Sequence, residues 1–439
     1  MILVLQSILG FIIVLGVLVT IHEFGHFAMA KLFKFPVEVF SIGFGPRVWG
    51  FHRRETDYRL SWIPLGGYVK VMGLGLDESD LISRETPDAV PRVPGHRGKR
   101  FVIFMAGPAI NALFALVFAS LSFMLGIQVP AILDQPVRLG YVDPAGPAAQ
   151  AGIRAGDELT SVAGRPLPNW QAFSDTVLIS GGETVEVGIR RDGQVLHVPV
   201  HVEKKGKYLL GNIGVYPLER AVIERVTPAS PADKGGLRGG DIIVAVNGKP
   251  VGIINAVIEA VRAAPGRAVS VEVMRGGERL RIELTPALVD GAGQIGVMFR
   301  NEAMIMKKYP FVASVRHGFD TCVDGATLSY RFLKKLLSGK GSIRQVSGPI
   351  DMARFSGEAI QEGLSYFVWL LGMVSLQLAI FNFLPIPLLD GGHLFILGIE
   401  AVRRRDLSVE LKFRLLQTGF MILASLFVMV LVFDVLKLL

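Results

Sequence analysis

The stretch His22-Glu23-Phe24-Gly25-His26 follows an unbroken apolar run that extends from Met1 to Ile21. On a helix, histidines four residues apart lie on the same face, so both imidazoles can reach one metal ion. Glu23 follows the first histidine and stands beside the metal rather than on it. A general base is needed at that position, within reach of a metal-bound water. The pattern therefore predicts a metal site that activates water.

The alternative is that this H-E-x-x-H pattern arose by chance. With eight histidines in 439 residues, a chance match somewhere in the chain has a probability of roughly one in a hundred. The apolar setting argues against chance, because two imidazoles and a carboxylate are costly to bury in a membrane-depth segment. Ionisable residues in such segments usually have a function, and we therefore favour the metal site.

A second interrupted apolar segment supplies a candidate third ligand, in the stretch from Pro385 to His393. Two histidines leave a hydrolytic zinc one protein ligand short, and a carboxylate completes the set with water in the fourth position. Broken backbone at membrane depth is tolerated only where it is buried in protein or lines a wet cavity. We predict His22, His26 and Asp390 as ligands, and zinc as the ion that suits them best. His393 is the alternative ligand, for which we favour a supporting or capping role.

The elements that position these residues are predicted to be membrane spans. The chain is 51% hydrophobic and 19% charged, which indicates a few spans joined to a water-soluble part. No Lys or Arg precedes Lys31, so the charged region of a signal peptide is missing and the first segment is predicted to be a retained span. The predicted spans cover residues 1–33, 100–127, 366–402 with its interruption, and 415–437.

Basic residues predict the orientation of these spans. Twelve Lys and Arg fall between Lys31 and Arg100, and three more form Arg403-Arg404-Arg405. The positive-inside rule places both groups in the cytoplasm, and the two termini and the region between spans two and three outside it. Both halves of the metal site then meet near the cytoplasmic face. Because the basic residues gather beside apolar segments, the net charge of +8 indicates contact with membrane lipid and not with nucleic acid.

Two connecting regions are also predicted to lie at the membrane. The loop 34–99 contains two segments rich in β-branched and aromatic residues, Val37–Phe51 and Tyr58–Val71, separated by turn residues. They predict a membrane-associated β-hairpin, whose strands could pair with an extended substrate. Residues 292–365 carry amphipathic patterns typical of surface helices.

A repeat occupies the region between spans two and three. Residues 151–157 match residues 235–241, and Ile213-Gly214-Val215 matches Ile295-Gly296-Val297. The repeat predicts two copies of one small domain, at 128–208 and 209–291. Its Pro-Ala and Ala-Gly-x-x-x-Gly-Asp pattern resembles bacterial PDZ domains, which bind a peptide along a sheet edge and hold its C-terminus in a backbone nest. The two matching tripeptides are the predicted peptide-binding loops; the alternative is a pair of spacer domains without a ligand.

Four motifs together resemble the site-2 protease family of intramembrane zinc metalloproteases. They are His22-Glu23-Phe24-Gly25-His26, Gly107-Pro108-Ala109-Ile110-Asn111, Gly348-Pro349-Ile350, and Asn382-Phe383-Leu384-Pro385-Ile386-Pro387-Leu388-Leu389-Asp390-Gly391. The resemblance implies a polytopic α-helical membrane protein with four transmembrane helices, a membrane-associated β-hairpin and two inserted α+β PDZ domains. It implies a zinc metalloendopeptidase in which Glu23 activates water and Asn382 holds the substrate backbone or the developing oxyanion.

The same resemblance implies substrates and a location. The family cleaves within transmembrane segments of single-span proteins, such as trimmed anti-sigma factors or signal-peptide remnants, and bacterial members lie in the inner membrane with their PDZ domains and both termini on the periplasmic side. One alternative is a membrane zinc protease that cuts loops or soluble tails. Its third ligand would normally be a glutamate on a following helix. Another is a PDZ-bearing scaffold with a structural zinc, but closed structural sites use four protein ligands.

Overall fold

The computed structural model describes residues 2–72, 97–217, 221–251, 254–289, 291–300 and 304–437. The chain divides into two compact units, one formed by residues 1–127 with 306–439 and the other by residues 128–305. Of the predicted loop 34–99, residues 73–96 lie outside the described residues.

The α-helices are α1 (Ile2–Leu32), α2 (Arg97–Leu125), α3 (Pro147–Gln150), α4 (Trp170–Leu178), α5 (Pro231–Gly235), α6 (Ile254–Arg262), α7 (Phe311–Leu337), α8 (Pro349–Glu362), α9 (Leu364–Asn382), α10 (Asp390–Arg403) and α11 (Val409–Leu436). Short 3-10 turns cover Ala131–Asp134 and Ile343–Gln345.

The β-strands of the first half are β1 (Val37–Arg53), β2 (Thr56–Val71), β3 (Ile127–Pro130), β4 (Leu139–Val142), β5 (Glu158–Val162), β6 (Arg165–Pro166), β7 (Thr184–Arg191), β8 (Gln194–His201), β9 (Glu203–Lys205), β10 (Leu210–Asn212) and β11 (Val215–Pro217). Those that follow are β12 (Ala221–Val226), β13 (Ile242–Val246), β14 (Lys249–Pro250), β15 (Val269–Arg275), β16 (Glu278–Leu284), β17 (Ala287–Val289), β18 (Ala292–Gln294), β19 (Val297–Phe299) and β20 (Met304–Lys307).

Four of the described helices are long and apolar enough to cross a membrane: Leu3–Leu32, Arg97–Leu125, Leu364–Asn382 and Val409–Leu436. The third ends where the sequence predicts an interruption. After Asn382 the chain leaves the helix, and α10 begins at Asp390. Pro385 and Pro387 lie in this gap, and proline cannot supply the backbone N–H that a continuous helix needs.

The strands β1 and β2 form a long antiparallel hairpin where the sequence predicts one, with Val37 opposite Val71 and Arg53 opposite Thr56. Its open end is anchored to α1 and α2 by a small core of buried apolar side chains. This core consists of Ala30, Phe35, Val37, Val71 and Ile103. The anchor fixes the hairpin close to the α1 turn that carries the second histidine.

The second unit holds two similar α+β halves. The first has the strand order β6-β5-β7-β8, and the second has β16-β15-β13-β12-β19, with β14 paired to β13. Each half is tied by the same buried ion pair. Arg191 donates two hydrogen bonds of 2.7 Å to Asp157, and Arg275 does the same to Asp241. The repeat in the sequence is thus a repeat in three dimensions.

The predicted domain boundaries at 208/209 and 291/292 are wrong. Val215 of β11 pairs with Val142 of β4, so residues up to 217 belong to the first half. Likewise Val297 of β19 pairs with Val226 of β12, and the amphipathic helices begin only at Phe311. Sequence matching located the repeated motifs, but each half is closed by a strand that returns from beyond the predicted boundary.

Candidate metal centre

The two histidines lie on one face of α1, near its C-terminal end. His22 and His26 are buried at 9% and 8% exposure, and their Nε2 atoms are 3.1 Å apart. Helix α1 approaches α2 closely here, because a Cβ on Gly25 would lie only 2.5 Å from the carbonyl oxygen of Ala106. Glycine therefore allows the two backbones to meet beside the histidines.

Asp390 is delivered to the same place from the far end of the sequence. It is the first residue of α10, directly after the gap between α9 and α10. Small residues permit the tight path of this gap. A Cβ on Gly391 would lie 2.4 Å from the Leu384 carbonyl oxygen, and one on Gly419 would lie 1.7 Å from that of Pro387. The loop is therefore held between α10 and α11, which fixes the Asp390 carboxylate.

The three predicted ligands converge. Asp390 Oδ2 lies 3.0 Å from His22 Nε2, and Asp390 Oδ1 lies 3.3 Å from His26 Nε2. One ligand atom from each residue falls within 4.8 Å of the others. Two imidazole nitrogens and a carboxylate oxygen form a donor set that suits zinc and leaves a coordination position for water.

Backbone and side-chain groups of α2 orient the two imidazoles. His26 Nδ1 lies 2.8 Å from the carbonyl oxygen of Ile103. That oxygen can only accept, so Nδ1 carries the proton and Nε2 keeps a free lone pair. The amide of Asn111 lies 3.3 Å from His22 Nδ1. Because amide N and O are interchangeable by rotation, Asn111 can accept the Nδ1 proton of His22 and free its Nε2 in the same way.

Gly107 of α2 provides the space that an ion needs. A Cβ at this position would lie 2.3 Å from His26 Nε2 and 2.7 Å from His22 Cε1. Any other residue would thus occupy the point toward which the imidazoles are directed. The donor set and this cleared space together show that a metal ion fits the site.

Glu23 lies beside this group and outside it, as the sequence predicts for a base. Strand β2 passes next to it, because a Cβ on Gly67 would lie 3.7 Å from Glu23 Cγ. The carboxylate is therefore near both the converging histidines and the backbone of the hairpin.

The structure does not bring every predicted residue into the group. Asn382 is the last residue of α9 and is half-buried; it makes no short contact to the three ligand candidates among the described residues. His393 stacks on Phe104 of α2, with ring centroids 4.6 Å apart and planes at 3°. It lies outside the three-residue group.

The two predicted peptide-binding loops lie in the second unit and serve its core. Ile213 and Ile295 are buried, and their carbonyl oxygens accept hydrogen bonds of 2.9 Å from Ala148 and Ala232. The N–H of Gly214 donates to Asn212 Oδ1 at 2.7 Å. The buried isoleucine side chains are not available to a peptide, so only backbone groups of the two loops could contact its C-terminus. Peptide binding by these loops stays a prediction.

Sequence reasoning missed the roles of Ile103, Gly107 and Asn111 at the centre. A signal was present, because the three positions are spaced by four and therefore lie on one face of α2. The histidines occupy α1 with the same spacing. A search of the other apolar segments for residues spaced by four, including one glycine and one amide, would have identified this face of α2 as part of the site.

Comparisons with known proteins relate this chain to zinc metalloproteases. The profile described as Peptidase family M50 matches residues 10–426. A putative zinc metalloprotease of Vibrio cholerae is 32% identical over 432 residues, covering 93% of this chain and 94% of its own. The regulator of sigma-E protease RseP of Escherichia coli K12 is 34% identical over 434 residues, covering 92% of each chain.

A solved PDZ domain of an SdrC-like protein from Listeria monocytogenes matches at 18% identity over 19% of this chain and 90% of its own, with a TM-score of 0.18. That score is too low to support an argument about the second unit.

Proposed function

Since the chain belongs to peptidase family M50 and is a zinc metalloendopeptidase of the site-2 protease type, we propose that it hydrolyses peptide bonds within transmembrane segments of single-span membrane proteins. The observation that carries the proposal is the convergence of His22, His26 and Asp390 within 4.8 Å. These residues belong to helices long and apolar enough to cross a membrane, or to the helix that follows one.

His22, His26 and Asp390 would hold the zinc ion. Zinc bound there supplies a Lewis acid that lowers the pKa of a water and polarises the scissile carbonyl. The carbonyl of Ile103 and the amide of Asn111 hold the imidazoles with their Nε2 atoms toward the ion. Fixing ligands in this way reduces the reorganisation that catalysis requires.

Glu23 acts as the general base and then as the acid. Its carboxylate takes a proton from the attacking water and delivers it to the nitrogen of the departing amine. Asn382, at the end of α9, binds the substrate backbone or the developing oxyanion through its amide. Among the described residues its side chain makes no hydrogen bond, so the amide is available to a substrate.

The substrate must unwind locally before it is cut, because every backbone group of a transmembrane helix is already paired. The hairpin β1–β2 beside Glu23 offers strand edges to such an extended segment. The tripeptides 213–215 and 295–297 of the second unit, which we assign to two PDZ domains, would hold a free peptide C-terminus.

The name of the Escherichia coli relative, regulator of sigma-E protease, leads us to propose a trimmed anti-sigma factor as one substrate. The chain is a bacterial inner-membrane protein, and its described residues include four apolar helices long enough to span a membrane. Its basic residues favour an orientation in which residues 128–305 and both termini are periplasmic.

A cleavage assay in proteoliposomes tests the proposal, with a single-span substrate and the Glu23→Gln variant. We expect this variant to keep one zinc per chain and to lose cleavage, because an amide cannot accept the proton of water. Glu38→Gln is the matched control, since Glu38 pairs with Lys70 on the exposed hairpin edge. Normal cleavage by Glu23→Gln would overturn the assignment of the base.

The same assay separates catalysis from a scaffold with a structural zinc. A scaffold would show no cleavage by the wild-type chain, and Glu23→Gln would leave any cellular phenotype unchanged. Mass spectrometry of the products locates the cut. A cut outside the apolar segment of the substrate would contradict intramembrane hydrolysis.

A further inference from the structure

A cavity lies where α1 ends and the hairpin turns, on the first unit. Its volume is about 570 Å³, within the range of roughly 300–1,000 Å³ of small-molecule sites. One part of its lining is aromatic, formed by Phe27, Phe35 and Tyr58. Phe27 and Tyr58 contact each other, with ring centroids 5.9 Å apart. The cavity therefore has an apolar wall.

The rest of the lining is strongly basic. Lys31, Lys34, Arg53 and Arg54 line the cavity with a single acid, Glu55. Lys31 is bonded to Glu55, and it donates to Thr56 Oγ1 at 2.7 Å. Among the described residues the side chains of the other three make no hydrogen bond or ion pair. Among the described residues, four basic side chains and one acid give the lining a net charge of +3, and an anionic group is the complementary ligand.

The cavity lies at the level where a membrane changes from apolar to polar. Helix α1 contains no lysine or arginine before Lys31, and Lys31 and Lys34 mark the end of that span. The adjoining hairpin exposes large apolar side chains, with Trp49 67% and Trp62 72% exposed. Tryptophan and exposed apolar surface of this kind are typical of the membrane interface. Phosphate groups of lipids are found at this depth.

We propose that this cavity binds the headgroup of an anionic phospholipid, with the phosphate held by Lys34, Arg53 and Arg54. The aromatic wall takes the glycerol and the first part of an acyl chain. A free phosphate would leave that wall without a partner, and the combination of an apolar wall with basic residues favours the lipid. Lipid binding in this cavity does not require that the chain hydrolyse peptides. It does not require one membrane orientation either, because both leaflets of a bilayer carry headgroups.

The test uses the purified full-length protein in detergent and native mass spectrometry. Binding is titrated with phosphatidylglycerol and with phosphatidylcholine of the same acyl chains, because only the first has a net negative charge. The variant is Arg53→Gln with Arg54→Asn; Arg54 has a φ of +53°, a conformation that asparagine tolerates. The control is Arg403→Gln with Arg405→Gln, which removes the same charge from the exposed end of α10.

We expect the wild-type chain to prefer phosphatidylglycerol. Each basic residue near an anionic lipid contributes about a fivefold gain in binding, so the cavity variant should bind about 25-fold more weakly. The control should weaken binding less than the cavity variant does, because its two arginines do not line the cavity. Zinc content and thermal unfolding verify that the variant is folded. If it is not, Lys34→Asn removes one charge from the same cavity and should weaken binding about fivefold.

Four results would overturn the proposal. The first is equal affinity for the two lipids. The second is equal loss of binding in the cavity and control variants, which would mean a general effect of charge. The third is complete displacement of phosphatidylglycerol by inorganic phosphate at equal concentration, which would make the site a phosphate site. Unchanged lipid binding in the cavity variant, with weaker cleavage of a substrate with an acidic tail, would assign the cavity to substrate instead.

Discussion

The buried carboxylates of the two units have different kinds of partner. In the second unit, the buried carboxylate of Asp157 receives two bonds from Arg191 and one of 2.8 Å from the Arg154 N–H. In the first unit, the Asp390 carboxylate faces two imidazole nitrogens across a space that Gly107 leaves open. The first arrangement is complete as it stands. The second would be completed by the zinc ion that we propose.

This difference separates structural from chemical roles for the same side-chain type. A carboxylate with a bidentate arginine and a backbone donor has its hydrogen-bonding capacity met, and its removal disturbs folding. Two imidazole nitrogens and a carboxylate oxygen that converge with no arginine or lysine between them offer lone pairs that a bound cation can satisfy. The predictions below test this contrast, beginning with the largest expected effect.

Asp390→Asn should abolish cleavage and weaken zinc affinity by more than about 100-fold, since loss of an outer partner alone costs 10- to 100-fold. A neutral amide replaces the anionic member of the set without changing its shape. Zinc content of the purified protein and a cleavage assay measure both effects. His393→Ala is the control and should keep one zinc per chain, because His393 stacks on Phe104 outside the group. Loss of zinc in that control would make His393 a ligand.

Gly107→Ala should lower zinc affinity and cleavage by about 10- to 100-fold. Its added Cβ would lie 2.3 Å from His26 Nε2, so either the imidazole or α2 must shift. Gly98→Ala in the same helix is the matched control, because a Cβ there meets no atom within 4 Å. That substitution should leave both quantities unchanged. Equal behaviour of the two variants would show that Gly107 does not clear space for the ion.

Arg191→Gln should destabilise the second unit and leave the zinc content unchanged. The variant leaves the buried carboxylate of Asp157 without its arginine partner, while the partial exposure of that arginine keeps the loss below that of a fully buried pair. Amide hydrogen exchange in β5 and β7 of the full-length protein measures the effect. Arg275→Gln should produce the same change in β13 and β15. Loss of zinc in either variant would contradict the independence of the two sites.

The same ion pair predicts how stability depends on pH. Burial raises the pKa of Asp157, but the bonds from Arg191 and the Arg154 N–H outweigh it and hold that pKa below its ordinary value. The contribution of the pair is therefore complete above about pH 4, the pKa in the unfolded chain. It is lost as the pH falls through the lower pKa of the folded state. Protection factors for hydrogen exchange in β5, which are corrected for the slower intrinsic exchange in acid, should decrease below about pH 4, and Arg191→Gln should remove this decrease.

The sequence shows which residues carry chemistry more readily than how they are held. His22, Glu23 and His26 share one helical period, and Asp390 stands out because it interrupts an apolar segment. The carbonyl of Ile103 cannot be found from residue type, because every residue has one. The ends of the two α+β halves were misplaced for a similar reason. Pairing of β11 with β4 joins residues distant in sequence, and a local pattern carries no information about it.

The smallest effect concerns the two halves of the second unit, through Gly214→Ala and Gly296→Ala. Both glycines have a φ of +76°, where alanine costs roughly 1–2 kcal/mol. A Cβ on Gly296 would lie 2.4 Å from Ser230 Cβ, whereas one on Gly214 would approach Asp143 Cβ only to 3.2 Å. Gly296→Ala should therefore be the more destabilising of the two by hydrogen exchange, while zinc content stays constant. Cleavage should change by less than about threefold, because binding of a free C-terminus by these loops would add affinity without being required for the substrate to reach the metal centre. A loss of cleavage as large as that of Gly107→Ala would instead make these loops essential to substrate capture.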